Sequence, residues 1–313
     1  MTSRRRLVRV PASSGNLGPG FDVLGAALTL HCELEVNEAS GFSIDPGQEG
    51  VPADRENLIV RSFELLHPAD RIRFEVRNEI PLARGLGSSA AAIVAGLLAA
   101  DHLFELGNSR EEIFALACEL EGHPDNVAAA LYGGIVACVP PGAPARETPP
   151  ERSEAAAGGA RPAPLPPPLR LSPPEGVEGI LVIPGEEVAT EAARAAMPAE
   201  VPLADATHNV AAASHLLLGI ERSDLTLIER GLADRIHQRR RRPLYERSME
   251  VVAAARDLGA LGATISGAGP AVLVWSYWQS SGELVPELEA LCEGWAEVRR
   301  TPFSPLGADV PSL

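Results

Sequence analysis

Pro81-Leu-Ala-Arg-Gly-Leu-Gly-Ser-Ser-Ala90 is the most specific stretch of this 313-residue chain. Gly85 and Gly87 let the backbone take positive φ and approach a ligand closely. The serines after them run without a break into an alanine-rich segment, 90–104, of helical character. A helix starting there turns free amides and the positive end of its dipole toward whatever the glycine loop encloses. Such a junction attracts phosphate. A bare GxGSS also fits an ordinary glycine turn with a serine cap, but the ten-residue string is far more specific.

Composition limits what else could hold that phosphate. All 27 basic residues are arginine and none is lysine. That excludes a Walker A loop, the protein-kinase fold with its strand lysine, and every Schiff-base or pyridoxal mechanism. Forty-two acids leave a net charge of −15, which repels nucleic acid and anionic membrane. The run of arginines at 239–242 therefore reads as a solvated face or an anion contact. Apolar residues at 45% and charged residues at 22% support a packed core rather than disorder. The longest apolar run, around 90–100, falls short of the roughly 20 residues a membrane span needs. No apolar segment follows Arg4-Arg5-Arg6, so the expected compartment is the cytoplasm. Cys32, Cys118, Cys138 and Cys292 share no CxxC spacing and read as small buried hydrophobes.

Alternation predicts strands over 7–11, 26–36 and 71–76, with a glycine-rich turn through 13–25. Helical periodicity covers 56–66, 90–104 and 110–120, the last capped by Asn108 or Ser109. An apolar segment over 126–139 is broken at Gly133-Gly134. Twelve of the 28 prolines fall between 140 and 174, where low-complexity Ala, Gly and Glu predict a flexible insertion. Beyond it come a strand at 179–183, helices at 189–196, 209–219, 225–236 and 244–258, and strands at 263–265 and 271–276. This irregular mixture points to α+β rather than a doubly wound sheet.

Three further segments carry chemistry. Glu119-Leu-Glu-Gly-His-Pro-Asp-Asn126 gathers carboxylates, an imidazole and an amide where a helix ends; carboxylate oxygens suit Mg²⁺. The same residues also fit a solvated helix C-terminus. Ser13-Ser-Gly-Asn-Leu-Gly-Pro-Gly-Phe-Asp22 is a substrate-contact loop or a tight connection, and Ser266-Gly-Ala-Gly-Pro270 a sharp turn into a strand or part of a site.

Taken in order, these segments resemble the GHMP small-molecule kinases, and within them the homoserine-kinase branch. The resemblance rests on residues 10–25, on 81–92, on Glu121-Gly-His-Pro-Asp-Asn-Val127 followed by Gly133-Gly134, and on Thr190-Glu-Ala-Ala-Arg194 with Pro198. Asp234, His237-Gln238, Arg241 and residues 266–270 complete it, over about residues 8–276. It implies an α+β fold with a ribosomal-S5-domain-2-like N-terminal, ATP-binding domain over 1–140 and a ferredoxin-like domain over 169–313. A Pro/Ala-rich insertion, 141–168, would separate them. It also implies transfer of the ATP γ-phosphoryl group to the side-chain hydroxyl of L-homoserine, in threonine biosynthesis, by a homodimer without nucleic-acid or membrane partners.

By that resemblance, Pro81, Leu82, Ala83, Arg84, Gly85, Leu86, Gly87, Ser88, Ser89, Ala90 and Ala91 would wrap the triphosphate of ATP, and Asn57 is a candidate for the adenine pocket. Ser89 and Glu121 would be the Mg²⁺ partners, forming the catalytic set with Asn16 and Asp22. Asn16 and Asp22 would hold the reacting hydroxyl, with His123, Asp125 and Asn126 nearby. Arg194 and Arg241 would grip the substrate carboxylate beside Thr190, since guanidinium meets carboxylate bidentately. Many relatives pair an Asp base with a lysine; with no lysine here and Asn126 near that place, no general base is assigned. Two departures stand out. Glu191 replaces the usual lysine, and Arg239-Arg240 replace the Pro-Tyr after His-Gln, so Arg239, Arg240 and Arg242 compete with Arg241 for the carboxylate. The alternatives are another GHMP kinase, acting on mevalonate, a sugar or a sterol-precursor phosphate, and a silent member that binds ATP or an amino acid without turnover.

Overall fold

A computed structural model describes residues 4–139 and 165–311. Alternating apolar positions make β1 (Arg5–Gly15) and β2 (Leu24–Glu38) into a long antiparallel pair. There follow β3 (Ser43–Asp45), α1 (Leu58–Glu64), β4 (Ile72–Asn78), α2 (Ser88–Phe104), α3 (Arg110–Glu121), α4 (Pro124–Tyr132), β5 (Ile135–Ala137) and β6 (Leu169–Leu171). The first sheet has the order β3-β4-β2-β5-β6, with β1 on β2.

The small residues of α2 explain its place. Ala90, Ala91, Ala95, Ala99 and Ala100 are fully buried, and a Cβ on Gly96 would overlap the Ile59 carbonyl. Short side chains let α2 lie close against α1 and the sheet, with its first turn at the sheet's end. Ser109 and Glu112 form a reciprocal capping box that starts α3.

The remaining elements are β7 (Val177–Pro184), α5 (Thr190–Ala195), α6 (Leu203–Arg222), α7 (Leu225–Gly231), α8 (Gln238–Arg241), α9 (Glu246–Ala254), β8 (Gly262–Ile265), β9 (Val272–Tyr277), α10 (Ser281–Cys292) and β10 (Ala296–Arg300), whose four strands form the second sheet. Its order, β10-β7-β9-β8, is antiparallel throughout. A strand–helix–strand–strand–helix–strand succession with that order is ferredoxin-like, as expected.

Several elements differ from the sequence reading. The helix expected over 225–236 ends at Gly231, where a Cβ would overlap the backbone of Leu216, and the chain then turns around Asp234. The helix expected over 244–258 shortens to α9, and that over 209–219 lengthens to α6. The three-residue strands β3 and β6 and the four-residue α8 were too short to carry a period. The expected insertion lies outside the described residues as far as 164.

The tail beyond 276 also proves structured. After α10 and β10 it returns to the first sheet, where Ser304 N–H donates to Ala27 O at 2.8 Å and Asp309 N–H to Arg9 O at 2.9 Å. Phe303 packs on Trp275 of β9 at 4.9 Å between ring centroids. β6 likewise pairs with β5 in the first sheet. The stretch expected as one unit, 169–313, thus begins and ends on the other sheet, because open strand edges need partners for their amides and carbonyls. Among the described residues no helix is long and apolar enough to cross a membrane.

Candidate active site

The glycine loop and α2 form the floor of the site. Gly87 caps α2 at φ +67° and, being glycine, offers no cap side chain to the first amides of the helix. Gly85 stands at φ +76°; a Cβ there would overlap the Ser266 carbonyl. A Cβ on Gly87 would overlap Ser13 Oγ and lie 3.0 Å from Asn126 Nδ2. Left-handed backbone costs a residue with a Cβ roughly 1–2 kcal/mol, and the overlap adds to it. Gly87→Ala should therefore lower Tm by several degrees and weaken nucleotide binding; a melting curve and a nucleotide titration check both.

Glu121, His123, Asp125 and Asn126, at the α3–α4 junction, form one wall. Ser89 Oγ donates to Glu121 Oε1 at 2.6 Å. Burial pushes the Glu121 carboxyl up, opposed by the Ser89 hydrogen bond and the His123 charge. His123 Nδ1 lies 2.7 Å from Asp125 Oδ1. Burial alone would discharge that imidazole, but the Asp125 hydrogen bond and charge, with the Glu121 charge, outweigh it and raise its pKa. Asp125 also accepts from the backbone N–H of Asn16 at 3.1 Å and of Asn126 at 2.9 Å. The Asn126 amide donates to Ser13 Oγ at 2.9 Å.

Asn16 and Asp22, in the turn after β1, sit at left-handed φ of 68° and 55°. Asn16 Oδ1 accepts from Asp22 N–H at 3.0 Å, and its Nδ2 donates to Gly267 O at 2.7 Å. Opposite stand Thr190 and Arg194, one turn apart on α5, and Arg241. Arg194 meets the Asp22 carboxylate with both terminal nitrogens, at 3.1 and 3.0 Å. Arg241 is 2% exposed; its Nε donates to Ala193 O at 3.0 Å and its Nη1 to Gly267 O at 3.2 Å. Its guanidinium lies 5.1 Å from the Phe21 ring centroid. One cavity thus joins the glycine loop, oxygen donors and two guanidinium groups.

Hydroxyl and carboxylate oxygens are the hard donors that suit Mg²⁺, and the Ser89–Glu121 pair supplies both. Asp22, His123 and Asp125 form a second set, with ligand atoms within 4.8 Å of one another. There, however, Arg194 holds Asp22, and Asp125 is bonded to His123, Asn16 and Asn126. A neighbouring cavity of about 280 Å³ shares Ser88 and Ser89 with the first and is walled by Pro52, Leu58, Val76 and Leu82.

Two family patterns match the chain: the GHMP kinases N terminal domain over residues 57–134 and the GHMP kinases C terminal domain over 216–296. A homoserine kinase from Moorella thermoacetica is 38% identical, covering 86% of each chain. One from Streptomyces avermitilis is also 38% identical, over 98% of this chain and 95% of its own. The crystal structure of homoserine kinase from Cytophaga hutchinsonii superposes with a TM-score of 0.82 at 27% identity, covering 99% of this chain and 98% of that one. This chain belongs to the GHMP kinase family.

In this GHMP kinase, not every residue of the expected phosphate loop reaches a cavity. Ala83 and Gly85 to Ser89 line the first and Leu82 the second, whereas Pro81, Ala90 and Ala91 line neither. The Arg84 guanidinium turns away: it donates to Pro184 O at 2.8 Å and Gly185 O at 2.6 Å and pairs with Glu187, fastening the loop to the second sheet. Asn57 lines the second cavity, but its amide accepts from Ile59 N–H and donates to Pro52 O, so it shapes that wall by capping α1. Of the arginines at 239–242, Arg241 alone lines the first cavity. Arg240 donates back to the Arg235 carbonyl, and Arg239 and Arg242 line a different cavity.

Residues not singled out as site candidates also take part. Val188, Gly267 and Ala268 line the cavity, and Phe21 underlies the arginines. The glycine turn at 266–270 was visible in the sequence, but its approach to the loop at Gly85 was not.

Arg241 is positioned by Asp234. That carboxylate accepts from Asn209 Nδ2 and from the N–H groups of Ile236, His237 and Gln238, at 2.8–3.0 Å, and so fixes the turn into α8. Burial works against its charge, but the His237 imidazole and these hydrogen bonds prevail and hold its pKa below the usual carboxylate value. A lowered folded pKa means stabilisation complete above the unfolded value of about 3.9 and lost as pH falls through the folded one. Asp234→Asn should cost about 1–3 kcal/mol at pH 7. Its deficit should shrink on acidification, as denaturant titrations at pH 7 and pH 3 would read.

Proposed function

We propose that this GHMP kinase transfers the γ-phosphoryl group of Mg·ATP to the side-chain hydroxyl of L-homoserine, giving O-phospho-L-homoserine. The observation that carries this reading is that Arg194 and Arg241 line the same cavity as the glycine loop, together with Asn16 and Asp22. A carboxylate bound to the guanidinium groups would leave a short side chain pointing at the loop, where a phosphoryl donor is cradled. The homoserine kinases among its relatives support the same substrate.

Ser89 and Glu121 would hold Mg²⁺, which when bound offsets charge on the phosphates. The alanine-rich start of α2 would receive the triphosphate, and the adjoining cavity the adenine. The hydroxyl oxygen forms its new bond to phosphorus in line as the bond to the ADP oxygen breaks, and its proton is released once the phosphoryl group has moved. Asp22 and Asn16 orient the hydroxyl. No general base is required, because a loose transition state needs alignment and charge neutralisation more than nucleophile activation. The reading extends to a cytoplasmic homodimer, checked by cell fractionation and light scattering.

A coupled ADP-release assay with L-homoserine, D-homoserine, L-serine, L-threonine and mevalonate tests the proposal. Selective turnover of L-homoserine is expected. Preference for another alcohol, or ATP binding without turnover, overturns it.

A further inference from the structure

The arginines that the catalytic cavity leaves out converge elsewhere. Arg235, Arg239 and Arg242, from the segment around α8, and Arg256, after α9, line a second-domain cavity of about 580 Å³. That volume is in the range of small-molecule sites, roughly 300–1,000 Å³. A chain of net charge −15 disperses cations among many acids, so four guanidinium groups around one hollow reverse the local sign.

Their acids do not cancel this charge. Asp234 lines the cavity and keeps its charge, held by the hydrogen bonds that fix the turn into α8, so it offsets one of the four cations and leaves an excess of three. The Glu246 carboxylate reaches Arg242, and that of Glu229 reaches Arg256, at 3.6 Å from exposed positions, and Arg256 also donates to the Glu229 carbonyl. Among the described residues, the side chains of Arg235 and Arg239 have no acidic partner. His208, from α6, adds a ring Nε2 with no hydrogen-bond partner among the described residues. Leu232, Met249 and Val252 supply an apolar lining. The four arginines are solvent-exposed, but they come from two separate segments and border one partly apolar hollow. That combination suits a dianionic head on a small organic body, because guanidinium forks meet phosphate oxygens in pairs.

We infer that the cavity lined by Arg235, Arg239, Arg242 and Arg256 is a second anion site, separate from the catalytic cavity, that binds a phosphorylated small molecule. The inference does not depend on which alcohol the enzyme phosphorylates. The phosphate could be free, part of a nucleotide, or a phosphomonoester such as a reaction product; the probes below separate these sources.

The full chain is titrated calorimetrically with inorganic phosphate, pyrophosphate, ADP and O-phospho-L-homoserine. Each titration is repeated on Arg235→Gln/Arg239→Gln and on Ser89→Ala, with Arg239→Glu as a single charge reversal. The side chains of Arg235 and Arg239 carry no acidic partner, so the glutamine variant should melt with the wild type. At least one probe should bind in a way that survives Ser89→Ala and weakens by roughly 30-fold or more in the glutamine variant, with Arg239→Glu weakening it further. The inference is overturned if no probe binds at millimolar concentration, or if binding is lost only with Ser89→Ala. It is equally overturned if a duplex oligonucleotide outcompetes every small probe.

Discussion

Glu121→Gln is expected to lower kcat by about 100-fold or more and to raise the Mg²⁺ needed for half-maximal rate by about tenfold or more. Glutamine keeps the length of the side chain, and its carbonyl can still accept from Ser89 Oγ, now at 2.6 Å from Glu121 Oε1. The fold should therefore survive, and the change isolates the charge. That charge is held at a cost, since burial pushes the Glu121 carboxyl up. A buried carboxylate beside a hydroxyl would be reconciled with its surroundings by the proposed Mg²⁺. Mg²⁺ titrations at saturating ATP and L-homoserine give the answer. An unchanged Mg²⁺ dependence removes Glu121 from the metal site.

Arg194→Ala should reduce kcat/KM for L-homoserine by about 100-fold or more, chiefly through KM, because it truncates one member of a partly desolvated charge pair. In the free protein Arg194 grips Asp22 through two hydrogen bonds. A substrate carboxylate has the same two oxygens, so on the proposed reading it would compete with Asp22 for the guanidinium and release the Asp22 carboxylate to the rest of the substrate. The alanine variant should also lose most of its discrimination against 3-aminopropan-1-ol, which lacks the carboxylate. Lysine at 194 should restore little, since a point charge does not reproduce the fork. A KM for L-homoserine within a few-fold of wild type would detach Arg194 from the carboxylate.

The elements legible in the sequence were those with a local cause. The start of α3 was marked by the polar pair Asn108-Ser109, of which the structure uses Ser109, and α2 by a glycine pair followed by small residues. Strands such as β2 and β9 showed in their composition. Elements of three or four residues, β3, β6 and α8, left no period to detect. The end of α7 at Gly231 was hidden because apolar residues continue to Ile236, and the break comes from contact with Leu216 and the side-chain hydrogen bonds of Asp234. The candidate site was legible in its residue types, since carboxylates, glycines and arginines each carry one characteristic chemistry.

What the sequence by itself determined is the phosphate loop and its helix, the α+β mixture, the lysine-free means of holding anions and the order of motifs that marks the family. These depend on φ preferences, caps and periods acting over a few residues. Only the tertiary structure decided how those motifs meet. Asn16 reaches Asp125 across 109 residues and Gly267 across 251. Arg84, within the loop, turns to the second sheet, and the tail crosses back to the first. Among four consecutive arginines, Arg241 enters the catalytic cavity while Arg239 and Arg242 face another. Successive helical residues point about 100° apart, so which arginine faces which cavity is set by how α8 packs between Asp234 and β8, through long-range contacts that no local pattern encodes.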